Sequence, residues 1–169
     1  MKPEFADASS LRAAFQDYVK ARQRFLETIG TPTSCRDPLA EFSERLAAEV
    51  LDASIASSRV QKGYDLIRRS TGRKVQVKYL CNPSERWINE HHIRFPEGVE
   101  EYALVVFERL HLRAILVFPR ENLEAINAVL KKRHGRQATE LQFTRRNFQT
   151  ICMAQDKFKA LGVEIYLCA

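Results

Sequence analysis

The sequence lacks the features that mark membrane-spanning, secreted and zinc-stabilised proteins. Its 169 residues contain no apolar run near the roughly 18 residues that a bilayer-spanning helix needs. The start, from Met1 to Phe5, does not have the apolar core of a signal peptide. The four cysteines are scattered without a Cys-x-x-Cys pair, so neither a zinc site nor a disulfide framework is indicated. We therefore expect a cytoplasmic protein with reduced cysteines and no membrane partner.

The composition is that of an ordinary globular domain with an excess of positive charge. Hydrophobic residues make up 45% and charged residues 28% of the chain, and the length suits one domain. We expect a core over residues 37–169, a helical extension over 1–36 and a loop insertion at 81–101. The net charge of +6 suits a polyanionic partner. A basic cluster is nevertheless more often a solvated surface than a binding site.

The order of the elements predicts a mixed α/β fold. Apolar residues at helical spacing predict a helix over 8–29, which Gly30 ends. Asp37-Pro38 begins a second helix, because Asp favours the N-cap and Pro the first helical position. Near-continuous apolar runs at 103–107 and 112–118 predict buried strands. Two helices follow, of which the first ends at Gly135 and the second is capped by Thr144, and a final strand comes after them. With a hairpin before the buried strands, the fold has a central mixed sheet and flanking helices.

The residue pattern of 62–80 predicts a β-hairpin that places several polar side chains on one face. If Thr71-Gly72 is a two-residue loop, Asp65 lies opposite Lys78, and Gln76 is the diagonal neighbour of Asp65. The three side chains then share one face. Asp65 and the Gln76 carbonyl are hard oxygen ligands for Mg²⁺, while Lys78 can orient the attacking water and stabilise charge on a phosphate. An exposed polar face with an Asp–Lys pair explains the spacing equally well.

Lys62-Gly63-Tyr64-Asp65-Leu66 and Val75-Gln76-Val77-Lys78, with an acidic helix upstream, resemble the PD-(D/E)xK nuclease superfamily. The resemblance covers residues 37–109 and implies a restriction-endonuclease-like αβββαβ core with an extra N-terminal helix. It also implies hydrolysis of phosphodiester bonds in nucleic acid, with DNA the expected substrate and Mg²⁺ or Mn²⁺ the cofactor. Asp65, Glu44 and Gln76 would hold the metal, and Lys78 would be the catalytic cation.

The sequence departs from the pattern of the superfamily in two places. No Pro precedes Asp65 between Val60 and Tyr64, and Gln76 stands where Asp or Glu is more common. An amide carries one negative charge less than a carboxylate and attracts Mg²⁺ less strongly. The second hypothesis is therefore a catalytically inactive module with the nuclease fold that binds nucleic acid or another protein. A homodimer is compatible with both hypotheses.

Glu44 is the acid of the second helix that we expect to face the hairpin. At about 100° per residue it lies on an alanine-rich stripe, where small side chains permit a close approach to a sheet. This stripe consists of Ala40, Ala47, Ala48 and Leu51. The segment also resembles the first helix of nuclease-fold resolvases, in which a Glu completes the metal site. Glu41, one turn earlier, replaces Glu44 if the predicted helical phase is wrong, and the alternative for each acid is an exposed position.

The candidate contacts to nucleic acid are basic and aromatic residues. Trp87 could stack on a base, although packing within its own loop is the favoured alternative. Because adjacent residues of a strand point to opposite faces, His91 and His92 are not expected to share a metal ion. The full set is Lys62, Arg68, Arg69, Arg73, Lys74, Trp87, His91, His92, Arg94, Arg145 and Arg146.

Overall fold

The structure, a computed structural model, describes residues 7–56, 63–131 and 139–168. The chain separates into two compact units, Met1–Phe42 and Ser43–Ala169. In the part of the chain that the structure describes, no helix is long and apolar enough to cross a membrane.

The N-terminal unit contains helix α1 (Ala8–Thr28) and the first turn of helix α2 (Pro38–Val50). The carboxylate of Asp7 caps α1 by accepting hydrogen bonds from the backbone N–H groups of Ser9 and Ser10. Gly30 follows the helix with φ of 71°, a left-handed conformation that glycine adopts without steric cost. Helix α1 and this glycine confirm the predicted first helix and its end.

The helix predicted at Asp37-Pro38 is also present. The side chain of Asp37 accepts a hydrogen bond of 2.8 Å from the backbone N–H of Leu39, as an N-cap residue does. Burial along the second half of α2 follows the alanine-rich stripe, because Ala47 and Leu51 are 0% and 3% exposed. Two members of the predicted stripe are thus buried, and the expectation that Glu44 faces the hairpin stays a prediction.

The larger unit is built on a six-stranded mixed sheet in the order β1-β2-β3-β5-β6-β8. Its strands are β1 (Ala53–Ile55), β2 (Leu66–Arg68), β3 (Lys74–Asn82), β5 (Glu101–Glu108), β6 (His111–Pro119) and β8 (Glu164–Leu167). Strands β3 and β5 are parallel, and the other neighbouring pairs are antiparallel. The mixed α/β class and the central mixed sheet are thus as predicted.

Three short helices and a two-stranded ribbon cover one face of this sheet. The helices are α3 (Leu123–Val129), which follows a 3₁₀ turn, α4 (Arg145–Met153) and α5 (Gln155–Lys159). The ribbon pairs β4 (His91–Arg94) with β7 (Glu140–Phe143) in antiparallel register. Side chains from all of these elements enter the same buried hydrophobic cluster as Leu104 and Leu116 of the central strands.

Three strands were not predicted from the sequence, and one predicted helix is divided. Strands β1, β4 and β7 are the unpredicted ones, and β4 lies within the segment expected to be a loop insertion at 81–101. The last helix begins at the predicted cap, Thr144, but it breaks at Ala154 into α4 and α5. The predicted stop of the preceding helix at Gly135 lies outside the described residues.

The predicted hairpin exists, but its register differs by two residues. Leu66 pairs with Val75 and Ile67 with Lys74. Extended by one residue, this register sets Asp65 next to Gln76 instead of Lys78, and the side chains of Asp65 and Gln76 are in contact. The turn is longer than the predicted Thr71-Gly72 loop, because the backbone N–H of Arg68 donates to the Arg73 carbonyl. A shift of two residues preserves the face on which each side chain lies. Asp65, Gln76 and Lys78 therefore still belong to one face.

Candidate functional site

The centre of the candidate site is a direct contact between Asp65 and Gln76. Asp65 immediately precedes β2, and its backbone N–H donates to the Val75 carbonyl at 2.9 Å. The Gln76 amide donates to Oδ2 of Asp65, and the backbone N–H of Val77 donates to the same oxygen at 2.8 Å. Gln76 is only 7% exposed. The carboxylate is thus held in place by an amide and by the backbone of β3.

Lys78 follows two residues later on the same face of β3, and its side chain is exposed. No carboxylate of a described residue forms an ion pair with it, which distinguishes it from most of the arginines nearby. The simple Asp65–Lys78 pair that the predicted register would allow is therefore not formed. The exposed ammonium of Lys78 is free to contact a solute.

Tyr102 and His91 extend this polar cluster from two other strands. Tyr102 is the β5 partner of Gln76 in the parallel register, and it is 3% exposed. Its hydroxyl lies 2.7 Å from Nε2 of His91, the first residue of β4. Burial raises the pKa of Tyr102 well above its ordinary value, and the negative charge of Asp65 raises this pKa further. Tyr102 is therefore a neutral hydrogen-bonding group at the edge of the site.

His91 is a neutral imidazole at physiological pH. Burial lowers its pKa to about 4, and Coulombic effects of Lys78 and His92 contribute to the same shift. Since both neighbours disfavour a further positive charge, His91 is a hydrogen-bonding partner here and not a cation. His92 points away from His91 and lies 3.2 Å from the Glu140 carboxylate. The two adjacent histidines thus face opposite sides of β4, as expected.

Both candidate acids of α2 are buried, so the alternative that they are exposed surface acids is wrong. Glu44 is 9% and Glu41 is 1% exposed. Glu41 is engaged within the N-terminal unit, where it accepts a hydrogen bond of 2.8 Å from Ser34 and lies 3.7 Å from Arg36. These contacts give Glu41 a structural role. Glu44 lies on the buried, alanine-rich side of α2 and stays the predicted second acid.

Asp65 and Gln76 can bind a hard cation together only if the Gln76 side-chain amide rotates so that its oxygen, instead of its nitrogen, lies next to Asp65. Within 7–56, 63–131 and 139–168, no three His, Cys, Asp or Glu side chains are grouped so that they could hold a metal ion. The predicted set is two carboxylates and an amide, which Mg²⁺ accepts because it prefers oxygen donors. Rotation of the amide would exchange Nε2 for Oε1 next to Asp65. Asp65 and Gln76 would then present two oxygens side by side.

Two arginines predicted to contact nucleic acid are instead part of an internal ion-pair network. Arg68 donates to Glu101 and to Glu164, each at 2.6 Å, and its side chain is 11% exposed. Arg73 donates to Glu101 and to Glu121. Glu101 precedes Tyr102 on β5 and so points to the opposite face of the sheet. Arg68 and Arg73 therefore lie away from the candidate site, with their charges compensated.

The remaining basic candidates occupy three different environments. Arg69 is exposed but lies 2.7 Å from Asp52, and the Lys74 ammonium lies 5.1 Å from the ring centre of Tyr64. Arg145 and Arg146, in the first turn of α4, are exposed and form no ion pair with a described residue. Lys62 lies outside the described residues. Arg145 and Arg146 are thus more available to a polyanion than Arg69.

Trp87 packs in the protein, which was the favoured alternative to base stacking. Its ring stacks on Phe148 at a centroid distance of 5.4 Å and also contacts Phe143. Its Nε1 donates to the Glu108 carboxylate at 2.5 Å. Arg94, in contrast, is exposed on β4 and lies 3.2 Å from Glu140. Trp87 therefore anchors the ribbon to the sheet.

Tyr102 is the site residue that sequence reasoning missed. It stands at the start of a long apolar run and is typical there of a core residue. The signal that could have found it is the parallel pairing of β3 with β5, because this pairing sets Tyr102 beside Gln76. Parallel register has no local turn to fix it, so the sequence of either strand alone does not reveal the contact.

The chain was compared with protein-family models and with curated protein sequences, and no match was found in either comparison. The case for a function therefore depends on the geometry of the residues.

Proposed function

We propose that this protein is a metal-dependent phosphodiester hydrolase acting on nucleic acid, with DNA as the substrate. The observation that carries the proposal is the direct contact of the Asp65 carboxylate with the Gln76 amide, on the face of β3 that also presents Lys78. A carboxylate and an amide oxygen can hold Mg²⁺, and an ammonium without an ion-pair partner among the described residues can stabilise negative charge on a phosphate. The net charge of +6 suits a polyanionic substrate.

The proposal includes the restriction-endonuclease-like core. Its support is the order of the elements, in which α2 precedes the antiparallel β2–β3 pair, β5 follows in parallel with β3, and later helices lead to β8. The side chains of Asp65, just before β2, and Gln76 of β3 are in contact at the first of these pairs. This is the position in which the resemblance of residues 37–109 to the nuclease superfamily puts the metal-binding residues.

Each residue of the site has a chemical task under this proposal. Asp65 and Gln76 would hold Mg²⁺ or Mn²⁺ together with Glu44, and the bound ion would lower the pKa of a water molecule and polarise the phosphate. The backbone N–H of Val77 fixes the Asp65 carboxylate, which limits the rotation of that ligand. Lys78 places its positive charge next to the phosphate, where negative charge increases in the transition state.

The test is cleavage of plasmid and single-stranded DNA with Mg²⁺ or Mn²⁺ by wild type, Lys78→Ala and Lys157→Ala. We expect Lys78→Ala to lose about 100-fold in kcat, the usual cost of removing one group that stabilises the transition state. Lys157 is exposed on α5, so its substitution removes the same charge away from the site and should change kcat less than about twofold. Equal rates for wild type and Lys78→Ala at high protein concentration would eliminate catalysis at this site.

A specific observation favours the second hypothesis, a nucleic-acid-binding module without turnover. Oδ2 of Asp65 already accepts two hydrogen bonds, so the carboxylate is satisfied without a metal ion. Calorimetric titration with Mn²⁺ separates the two hypotheses, with Gln76→Glu as the companion variant. Millimolar Mn²⁺ that binds only to Gln76→Glu, together with salt-sensitive DNA binding by wild type, would support the module.

A further inference from the structure

A cavity of about 160 Å³ lies beside the tight turn between β5 and β6, and we call it the turn pocket. The residues that line it are Glu85, Glu108, Arg109, His111 and Arg113. Glu108 pairs with Asn82, which is six residues along β3 from Gln76 and therefore about 20 Å away in extended chain. The turn pocket is thus separate from the candidate site, and its role does not depend on hydrolysis at Asp65.

The turn pocket lies beyond the carboxyl ends of the parallel strands β3 and β5, where open α/β sheets commonly bind ligands. Asn82, the last residue of β3, is completely buried and holds the loop that follows it. Its Oδ1 accepts hydrogen bonds from the backbone N–H groups of Ile88 and Asn89 at 3.0 and 2.8 Å. The loop that contributes Glu85 is therefore fixed to the end of the strand, as in pre-formed ligand pockets.

The turn that carries Arg109 has a backbone conformation that its residues do not favour. Arg109 and Leu110 have φ of 53° and 63°, and both central residues of a tight type I′ hairpin turn need such left-handed values. Asn-Gly is the usual sequence for this turn, because most other side chains are strained in it. Strained backbone of this kind is concentrated at functional sites. The turn itself thus gives no reason for an arginine, whereas the pocket beside it does.

A β-bulge is associated with the second arginine of the turn pocket. The pairing of β5 with β6 shifts between Val106 and Phe107, which makes Arg113 an extra residue of β6. Bulges redirect side chains and are common next to active sites. Nε of Arg113 lies 3.4 Å from the Glu108 carboxylate, an ion pair without a hydrogen bond. The terminal nitrogens of Arg113 donate to no described residue, and the Arg109 side chain forms no hydrogen bond or ion pair with one.

We propose that the turn pocket binds the phosphate group of a phosphate monoester. Guanidinium groups bind phosphate oxygens through paired N–H donors, and two guanidinium groups with unused donors suit a tetrahedral dianion. The ring of His111 is a third polar group in the lining. The cavity is smaller than the roughly 300–1,000 Å³ of pockets that enclose a whole ligand. An ionised group therefore fits inside, while the rest of the ligand stays outside.

The two acids of the turn pocket do not occupy the donors of its arginines. Glu108 compensates one positive charge, but its Oε1 accepts a hydrogen bond from Trp87 and its Oε2 forms only the ion pair with Arg113. Glu85 is exposed, so solvent and salt screen its charge. The competing explanation is that both arginines are only solvated surface residues.

Inorganic phosphate is the probe, titrated into ¹⁵N-labelled protein without divalent metal at constant ionic strength. We expect saturable NMR shifts at Glu85 and at residues 108–113. Arg109→Gln should weaken phosphate binding at least about tenfold, because one charge-assisted donor pair is lost. Arg24→Gln is the matched control, because it removes the same charge from an exposed position on α1, and it should change the Kd less than about twofold. Absence of saturable binding, or equal weakening by the two variants, would overturn the proposal.

Two further measurements separate recognition of phosphate from a general effect of charge. Arg109→Lys keeps the charge but not the planar fork, so it should restore only part of the binding, and full restoration would overturn the proposal. The wild-type shifts need no variant, and shifts centred on α1 instead of the turn would also overturn it.

Oligonucleotides with and without a 5′-phosphate identify the source of the phosphate group. Stronger competition with inorganic phosphate by the 5′-phosphorylated form would assign the turn pocket to the end of a nucleic acid. Equal competition by the two forms, with the effect of Arg109→Gln on inorganic phosphate intact, would assign it to a small phosphate monoester.

Discussion

On the sheet face opposite the candidate site, two ion pairs differ in burial. They allow a test of how burial changes the contribution of an ion pair to the free energy of unfolding. The Arg68 side chain is 11% exposed and is bonded to Glu101, which is 8% exposed, and to Glu164. Arg73 and Glu121 form a pair at 2.8 Å near the surface, with 37% and 50% exposure. Burial opposes the charged form of Arg68, but hydrogen bonds and charges from both acids outweigh it and raise its pKa.

Glu101→Gln should therefore cost much more stability than Glu121→Gln. The first change removes the buried carboxylate that Arg68 and Arg73 share, and breaking a buried pair from one side costs about 3 kcal/mol. Glu164 still compensates part of the Arg68 charge, so the cost should not exceed about 4 kcal/mol. The second change removes a solvent-screened pair that is worth about 0.5 kcal/mol.

Urea denaturation followed by far-UV circular dichroism measures both free energies of unfolding. The two variants differ from wild type by the same chemical change, so the comparison isolates burial. The difference for Glu101→Gln should also persist at 0.5 M salt, because buried pairs are screened little. A cost below about 1 kcal/mol for Glu101→Gln, or equal costs for the two variants, would refute this reasoning.

Three further predictions concern the turn after β5, the ribbon anchor and His91. Leu110 has φ of 63° and is 73% exposed, so Leu110→Gly should relieve strain and raise the free energy of unfolding by about 0.5 kcal/mol in urea denaturation. Trp87→Phe should lower the free energy of unfolding, measured by thermal denaturation, by about 1 kcal/mol, because the hydrogen bond to Glu108 is lost. The same change should not weaken DNA binding in a filter assay. The pKa of His91 falls from 6.5 to about 4 on folding, so the folded state binds fewer protons in this range. The contribution of neutral His91 to the free energy of unfolding should be fully present above about pH 6.5, and up to about 3 kcal/mol of it should be lost toward pH 4. Urea titrations at each pH should show that His91→Gln lacks this loss.

Each of these predictions has a result that contradicts it. Destabilisation by Leu110→Gly would mean that the side chain, and not the backbone, determines the turn. Weaker DNA binding by Trp87→Phe at unchanged stability would restore the base-stacking interpretation. An identical pH slope for wild type and His91→Gln would assign the acid sensitivity to other groups.

Local signals in the sequence predicted the helices well. The Asp37-Pro38 start, the Thr144 cap and Gly30 after α1 each act within a few residues, and the structure contains all three. The buried parts of β5 and β6 were predicted equally well, since nearly every residue in them is apolar. Local chemistry therefore determined where most of the elements begin and end.

Long-range pairing accounts for what the sequence did not reveal. The hairpin register depended on a turn length that Thr71-Gly72 suggested incorrectly, although a shift of two residues kept Asp65 and Gln76 on one face. Strand β4 carries a single apolar side chain that is buried, Ile93, so it has little strand signal of its own. Nothing near Arg68 in the sequence identifies Glu101 and Glu164 as its partners. The sequence therefore predicted contact with nucleic acid for Arg68, whose partners in the structure are distant acids of the same chain.

The parallel pairing of β3 with β5 also determines when during folding the candidate site can form. Strands β5 and β6 are joined by a tight turn and can pair locally, whereas β3 reaches β5 only after residues 83–100 have crossed over. Closing that loop costs about 2.5 kcal/mol of chain entropy beyond a constant term. We therefore expect the β5–β6 hairpin to assemble before β3 joins it. The Asp65–Gln76–Tyr102 arrangement is then a late product of folding, and partial unfolding that releases β3 would dismantle it while the hairpin persists.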